Sequence, residues 1–259
     1  MGYVKTDEEL DELQAVMAKP QARDGRLLFI QFETDDDFVS SVLPPGLVPN
    51  GVPASLTVGE WRGSNAGPYR ASFLMVGAQP ESAQDPKGTY CLSFFISDDS
   101  AILFGRPMMG EPKKLGDIEF SVSNDKISAS VTRFGTKIVS ASATIGAEIP
   151  GSEIEAPAYW YKHQPAVNGD GLQYDPVLIL QKNTQKPTKV MLASAEMSLA
   201  GTVHDPLGDI PVTGVKAAVY MEGDIFAECS VVTTVDREKF LPYAFAGYDD
   251  WTALIKEGS

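Results

Sequence analysis

The chain has 259 residues, 43% of them apolar, and 21 basic against 35 acidic side chains give it a formal charge of −14. That is enough apolar material for one sizeable core, and no linker or repeat divides it, so a single domain over residues 1–259 is expected. The acidic balance with no compensating basic run argues against nucleic acid and anionic membrane surfaces as partners. The opening residues lack a signal-peptide apolar region and no later run approaches the ~20 apolar residues that span a bilayer, which predicts a cytoplasmic protein.

Thr6 and Glu9 form a capping-box pattern, and Leu10, Leu13 and Met17 recur at helical spacing before Pro20, which predicts a helix over Asp7–Ala18 within an N-terminal extension of residues 1–25. From Arg26, "RLLFIQFET" reads as a strand, and "DDDFVSSVLPPGL" as a short helix stopped by Pro44-Pro45-Gly46. Strand-like runs follow in close order: "SLTVGEW", "RASFLMVGA", "TYCLSFFIS", "SAILFGR", "IEFSVSN", "KISASVTRFG", "KIVSASATIG", "PVLILQK", "VMLASAEMSLA" and "GVKAAVYMEGDIFAECSVVT". Gly, Pro, Asn or Asp bounds them. This density predicts an α+β fold dominated by β, with antiparallel sheets closing into a barrel or sandwich and helices at the chain ends. The last stretch, 236–259, reads as a short helix interrupted at Pro242 and then an aromatic tail.

Cys91 and Cys229 sit in apolar runs and read as buried free thiols. His163 and His204 are the only histidines, too few for a His-rich zinc site, and neither adjoins a nucleophile motif.

The segment "GEPKKLG", Gly110–Gly116, places two lysines side by side in an acidic chain. Pro112 and Gly116 predict that they lie on a fixed turn. Alone, such a pair reads as solvated surface charge. A lysine amine with a pKa near ~10.4 is a poor nucleophile at neutral pH, but burial or a neighbouring cation lowers that value by as much as roughly 3–5 units.

The surroundings favour the chemical reading. "FGRPMMGEPKKLG", "ISASVTRFGTKIVSASATIG", "AYWYKHQPAVNGDG" and "MSLAGTVHDPLGDIPV" resemble, in order and spacing, segments of the acetoacetate decarboxylase superfamily. The likeness extends from about Arg26 to Val235, leaving the first helix and the aromatic tail outside. Acetoacetate decarboxylase is itself the standard example of a lysine activated beside a second cation. The resemblance implies a barrel-like or cone-like fold with short peripheral helices, a homo-oligomer and a small keto-acid or carbonyl substrate; with no ligand cluster or phosphate-cradling Gly-rich motif in the chain, and a lysine to act as electron sink, no metal or organic cofactor is expected. It makes Lys113 the imine-forming lysine and Lys114 the neighbour. Adjacent side chains on extended backbone face apart, so desolvation, rather than the charge of Lys114, is expected to keep Lys113 neutral.

Two family glutamates align here with Leu56 and Ala71. Glu60 is the acid nearby; by the two-residue strand period it shares a face with Leu56 and Val58, and it reads either as a pocket acid or as a solvent-facing carboxylate. Arg26 and Arg106 match family arginines that attract a substrate carboxylate, with structural salt bridges as the alternative. Tyr69, Tyr90 and Tyr243 are candidate acid/base or substrate-binding residues, with aromatic packing as the alternative for each. Trp61, Phe73, Phe94, Phe95, Met108 and Met109 line an apolar pocket or pack the core. Three functions follow: decarboxylation of a β-keto acid bulkier than acetoacetate, aldolase-dehydratase chemistry through the same imine, or non-catalytic binding of a small molecule.

Overall fold

The computed structural model describes residues 2–82 and 84–257; Met1, Ala83, Gly258 and Ser259, parts of the expected 1–259 domain, lie outside the described residues. In chain order, α1 (Asp7–Met17) leads into β1 (Gln21–Glu33), α2 (Asp36–Val42) and the two-residue β2 (Leu47–Val48). A meander of β3 (Ala54–Ser64), β4 (Tyr69–Pro80) and β5 (Gly88–Ile96) is followed by α3 (Asp99–Met109) and the short β6 (Lys113–Leu115). A second meander, β7 (Asp117–Ser123), β8 (Lys126–Arg133) and β9 (Thr136–Ile149), precedes β10 (Ile154–Lys162) and two long strands, β11 (Val177–Leu199) and β12 (Gly214–Thr234). The chain ends in α4 (Arg237–Phe240), a 3-10 turn at Leu241–Tyr243 and α5 (Trp251–Glu257). Among the described residues no helix is long and apolar enough to cross a membrane.

The sheet is mainly antiparallel and curls into a ring, because the order β10-β5-β4-β3-β1-β12-β11 returns to β10 through β10–β11 pairing. Strand β11 makes the closure possible: Val177–Gln185 pairs with β10, while Val190–Leu199 turns to β9 and carries the β9-β8-β7 meander away from the ring. The expected separate strands "PVLILQK" and "VMLASAEMSLA" are thus one strand, bulged after Pro187, where the missing N–H interrupts regular pairing.

Alternation along the ring strands separates two apolar layers. On β1, Leu28, Ile30 and Phe32 join Leu56, Val58 and Leu74 in the main core, together with Ile118, Phe120 and Ile127 from the second meander. Leu27, Phe29 and Gln31 face the opposite way and line a cavity with Trp61, Phe73 and Phe94.

Several local expectations change. The α1 capping box forms, with Glu9 N donating to Thr6 and Thr6 N to Glu9, but β1 begins at Gln21, so the helical extension ends before residue 25. "SAILFGR" is helical. Asp98 caps the free N–H of Ser100, Gly110 closes the helix in the left-handed region at φ 77°, and Ala101, Gly105 and Met109 form a buried i, i+4, i+8 stripe. Capping and this stripe override the β propensity of a short apolar run. The lysines lie on strand β6, parallel to β5, instead of on a turn. Cys91 is buried as expected, but Cys229 is exposed.

Candidate active site

Strand β6 sorts the two lysines. Phe94 of β5 pairs with Lys113 and Phe95 with Lys114, so their side chains leave opposite faces of the sheet. Lys113, 5% exposed, enters the cavity, where its Nζ lies 2.6 Å from Glu111 Oε2. Its ammonium also lies 4.9 Å from the Phe94 ring and 5.8 Å from that of Tyr69. Burial lowers the Lys113 pKa, but Glu111 and Tyr69 raise it by more, so the resting amine is held protonated. Desolvation alone therefore does not leave it neutral. Burial pushes the Tyr69 phenol up, partly offset by Lys113, and pushes the neighbouring Cys91 thiol well up.

Lys114 belongs to a different cluster. Its Nζ lies 2.5 Å from Asp205 Oδ1 and 3.3 Å from Asp249 Oδ1, and donates to the carbonyls of His204 (2.8 Å) and Tyr248 (3.2 Å). Arg133 Nε completes the cluster 3.0 Å from Asp205 Oδ2, and its guanidinium also meets Asp249. Two cations thus face two carboxylates, and Asp205 is almost wholly buried.

Glu111 is the acid that sequence reading missed. It follows the helix-ending Gly110 and precedes Pro112, a context that reads as a turn; only its position two residues before Lys113 could have flagged it. Gly105 was missed as well: a Cβ there would lie 2.0 Å from Glu111 Oε2 and 2.6 Å from Lys113 Nζ, so α3 approaches the pair as closely as it does because residue 105 has no side chain.

The cavity beside Lys113 has a volume of about 690 Å³. An aromatic succession runs along its wall, with ring centroids 5.5 Å apart for Tyr69 and Trp61, 6.5 Å for Trp61 and Phe73, 5.2 Å for Phe73 and Phe94, and 6.2 Å for Phe94 and Trp160. Of the expected lining residues, Trp61, Phe73, Phe94 and Met109 face it, whereas Phe95 packs in the main core and Met108 is not on the wall.

The other candidates lie elsewhere. Glu60 does share a face with Leu56 and Val58, but that face is the main-core side; its carboxylate meets Arg26 Nε at 3.0 Å and Arg70 Nε at 3.7 Å. Arg26 is thereby drawn to Glu60 and away from the cavity. Arg106 Nη2 donates to Lys113 O at 2.8 Å and to Gly247 O, with its guanidinium 4.6 Å from the Tyr248 ring, so it braces the backbone of β6. Tyr90 and Tyr243 border a separate space of about 40 Å³ with Arg106 and His163, and Glu111 borders both spaces. Among the described residues no cluster of three or more His, Cys, Asp or Glu is arranged to hold a metal.

The acetoacetate decarboxylase (ADC) family profile matches residues 9–234. The chain belongs to the acetoacetate decarboxylase family. The family match begins inside α1, earlier than Arg26, and ends before α4, which leaves the C-terminal tail outside. No curated protein sequence matches the chain. Among solved structures, an acetoacetate decarboxylase is 20% identical with a TM-score of 0.75, covering 83% of this chain and 89% of its own. The acetoacetate decarboxylase of Legionella pneumophila subsp. pneumophila str. Philadelphia 1 is 18% identical (TM-score 0.73; 83% and 88%). The enduracididine biosynthesis enzyme MppR with HEPES bound is 14% identical (TM-score 0.69; 83% and 88%). At these identities the likeness is one of fold. It agrees with the mainly β, ring-like architecture.

Proposed function

We propose that the protein is a cofactor-independent carbon–carbon lyase in which Lys113 forms an imine with a carbonyl compound bulkier than acetoacetate, and in which Glu111 moves the protons. The observation that carries this reading is the 2.6 Å contact between Lys113 Nζ and Glu111 Oε2 at the wall of a large apolar cavity. In the resting pair the ammonium is protonated and the carboxylate charged. Transfer of one proton from Lys113 to Glu111 leaves a neutral amine, which attacks the substrate carbonyl to give a carbinolamine. Glu111 then returns the proton to the departing hydroxyl; water leaves, and a protonated imine remains beside a carboxylate.

That arrangement suits aldol chemistry. Glu111 takes the proton of a β-hydroxyl, the carbon–carbon bond electrons flow into the imine, and an aldehyde departs from the enamine. The proton on Glu111 then passes to the enamine carbon, and water releases the second product. Tyr69, kept protonated by its burial, is the second proton donor in reach of this space. Neither Arg26 nor Arg106 lines the cavity, so a substrate carboxylate near Lys113 would face Glu111 without a guanidinium to hold it. Decarboxylation is the second reading, favoured by the apolar wall, because a carboxylate stripped of water is destabilised relative to carbon dioxide.

Borohydride reduction in the presence of keto acids and β-hydroxy carbonyl compounds, followed by peptide mass analysis, tests the proposal. An adduct on Lys113 is expected, and its mass distinguishes the fragment kept after aldol cleavage from that kept after loss of carbon dioxide. Reduction onto Lys114, or no adduct with a compound that turns over, would overturn it. The lysine is the electron sink, so a chelator should leave turnover unchanged.

A further inference from the structure

The cavity extends well past Lys113, and its chemistry changes along the way. On β11, Gln181, Asn183 and Gln185 stand two residues apart, so all three amides share the face that lines the cavity. Gln181 and Asn183 form an ordered chain: the Cys229 thiol lies 3.8 Å from Gln181 Oε1, Gln181 Nε2 donates to Asn183 Oδ1 at 2.8 Å, and Asn183 Nδ2 donates to the backbone carbonyl of Ala156 at 3.0 Å. The carbonyl at the end of the chain can only accept, which fixes both amide orientations. Each terminal amide has two N–H groups, so Gln181 and Asn183 keep one N–H each beyond this chain. Gln181 is 8% exposed, too enclosed for bulk water to compete freely for it.

Register gives the separation. Lys113 is opposite Phe94 on β5, whereas Gln181 is opposite Ala158, which pairs with Thr89. Five residues of β5 separate Phe94 from Thr89, about 17 Å along the strand. Apart from Glu111 and Lys113, the charged side chains on the cavity wall are Lys87 and Glu155, one of each sign and both exposed.

Building on the imine reading above, we propose that Gln181 and Asn183 form a distal subsite for a neutral oxygen acceptor. The substrate class is then an elongated, uncharged carbonyl compound with an aromatic or alicyclic body along Trp61, Phe73, Phe94 and Trp160 and a hydroxyl or carbonyl oxygen at the end remote from Lys113. The amide pair donates to that oxygen and sets the reach of the substrate from the lysine.

The test uses pairs of arylaldehydes of increasing length, each ending in either a hydroxyl or a methyl group, together with the corresponding alcohols, which cannot form an imine. In the native protein, borohydride trapping at Lys113 should half-saturate at about tenfold lower concentration for the hydroxyl probe at the matching length, the value of one good hydrogen bond. The hydroxyl-ended alcohol should likewise raise the melting temperature more than its methyl partner. Gln181→Met and Asn183→Leu should abolish both preferences, so that the hydroxyl probe of matching length no longer outbinds its methyl partner. Trapping at Lys113 with no preference at any length, and equal thermal shifts, would overturn the subsite and leave the imine standing. A thermal preference without trapping would support the subsite and overturn the imine, and absence of both would overturn the two together.

Discussion

Lys113 and Lys114 are consecutive, yet their amines belong to different compartments: one meets Glu111 at 2.6 Å beside the cavity and the other meets Asp205 at 2.5 Å across the sheet. The charge of Lys114 is matched locally by Asp205 and Asp249, so it has little field to spare for its neighbour. Lys114→Arg and Lys114→Gln should therefore leave the apparent pKa for imine formation close to that of the parent. Lys114→Gln should instead lower stability, by roughly 3 kcal/mol, because it removes a buried charge from Asp205. Denaturant unfolding measures the loss, and pH-dependent trapping measures the pKa; a rise of a unit or more in the Gln variant would contradict the separation.

Glu111→Gln should split two readouts. The main influence raising the Lys113 pKa disappears while burial, which lowers it, remains, so imine trapping should extend to lower pH than in the parent. Turnover should nevertheless fall by about 10²–10⁴, the usual contribution of a general acid/base. Trapping that shifts to higher pH would show that Glu111 does not govern the amine.

Gly105→Ala should leave the fold in place and damage the site. In an open helix this change gains about 0.5–1 kcal/mol, but here the new methyl group would sit on Glu111 and Lys113. A displacement near 1 Å is enough to lower turnover by about 10²-fold. Circular dichroism and trapping kinetics should diverge; unchanged kinetics would mean that the pair tolerates movement.

His163 should sensitise the fold to acid. Burial and the nearby Arg106 lower its pKa to about 4, against about 6.5 in the unfolded chain. The unfolded state binds the extra proton first, so the stability contributed by neutral His163 is complete above pH 6.5 and declines as pH falls towards 4, with a slope of up to about 1.4 kcal/mol per pH unit. His163→Gln should flatten the melting temperature over that window relative to the parent.

What the sequence disclosed was chiefly pattern. The strand alternation and the Thr6–Glu9 capping box were legible because each is encoded within a few neighbouring residues. The error at "SAILFGR" arose because seven mixed residues fit either period, and the caps at Asp98 and Gly110 lie outside the run. Glu60 was placed on the correct set of alternating positions, but alternation does not say which of two faces encloses the cavity; that depends on where β11 and β10 close the ring. Glu111 was hidden for a related reason, since its partner is set by how β6 docks beside β5 and by the space left at Gly105.

The C-terminal tail reaches the site without relying on its own side chains alone. Arg106 holds the carbonyl of Gly247, and Lys114 that of Tyr248, while Arg106 also grips the carbonyl of Lys113. Every amino acid offers a carbonyl, so these contacts constrain where the tail runs more than what it spells. The spelling matters at two points all the same: a Cβ at Gly247 would lie 2.9 Å from Pro112 Cβ, and Asp249 supplies a carboxylate to both Lys114 and Arg133.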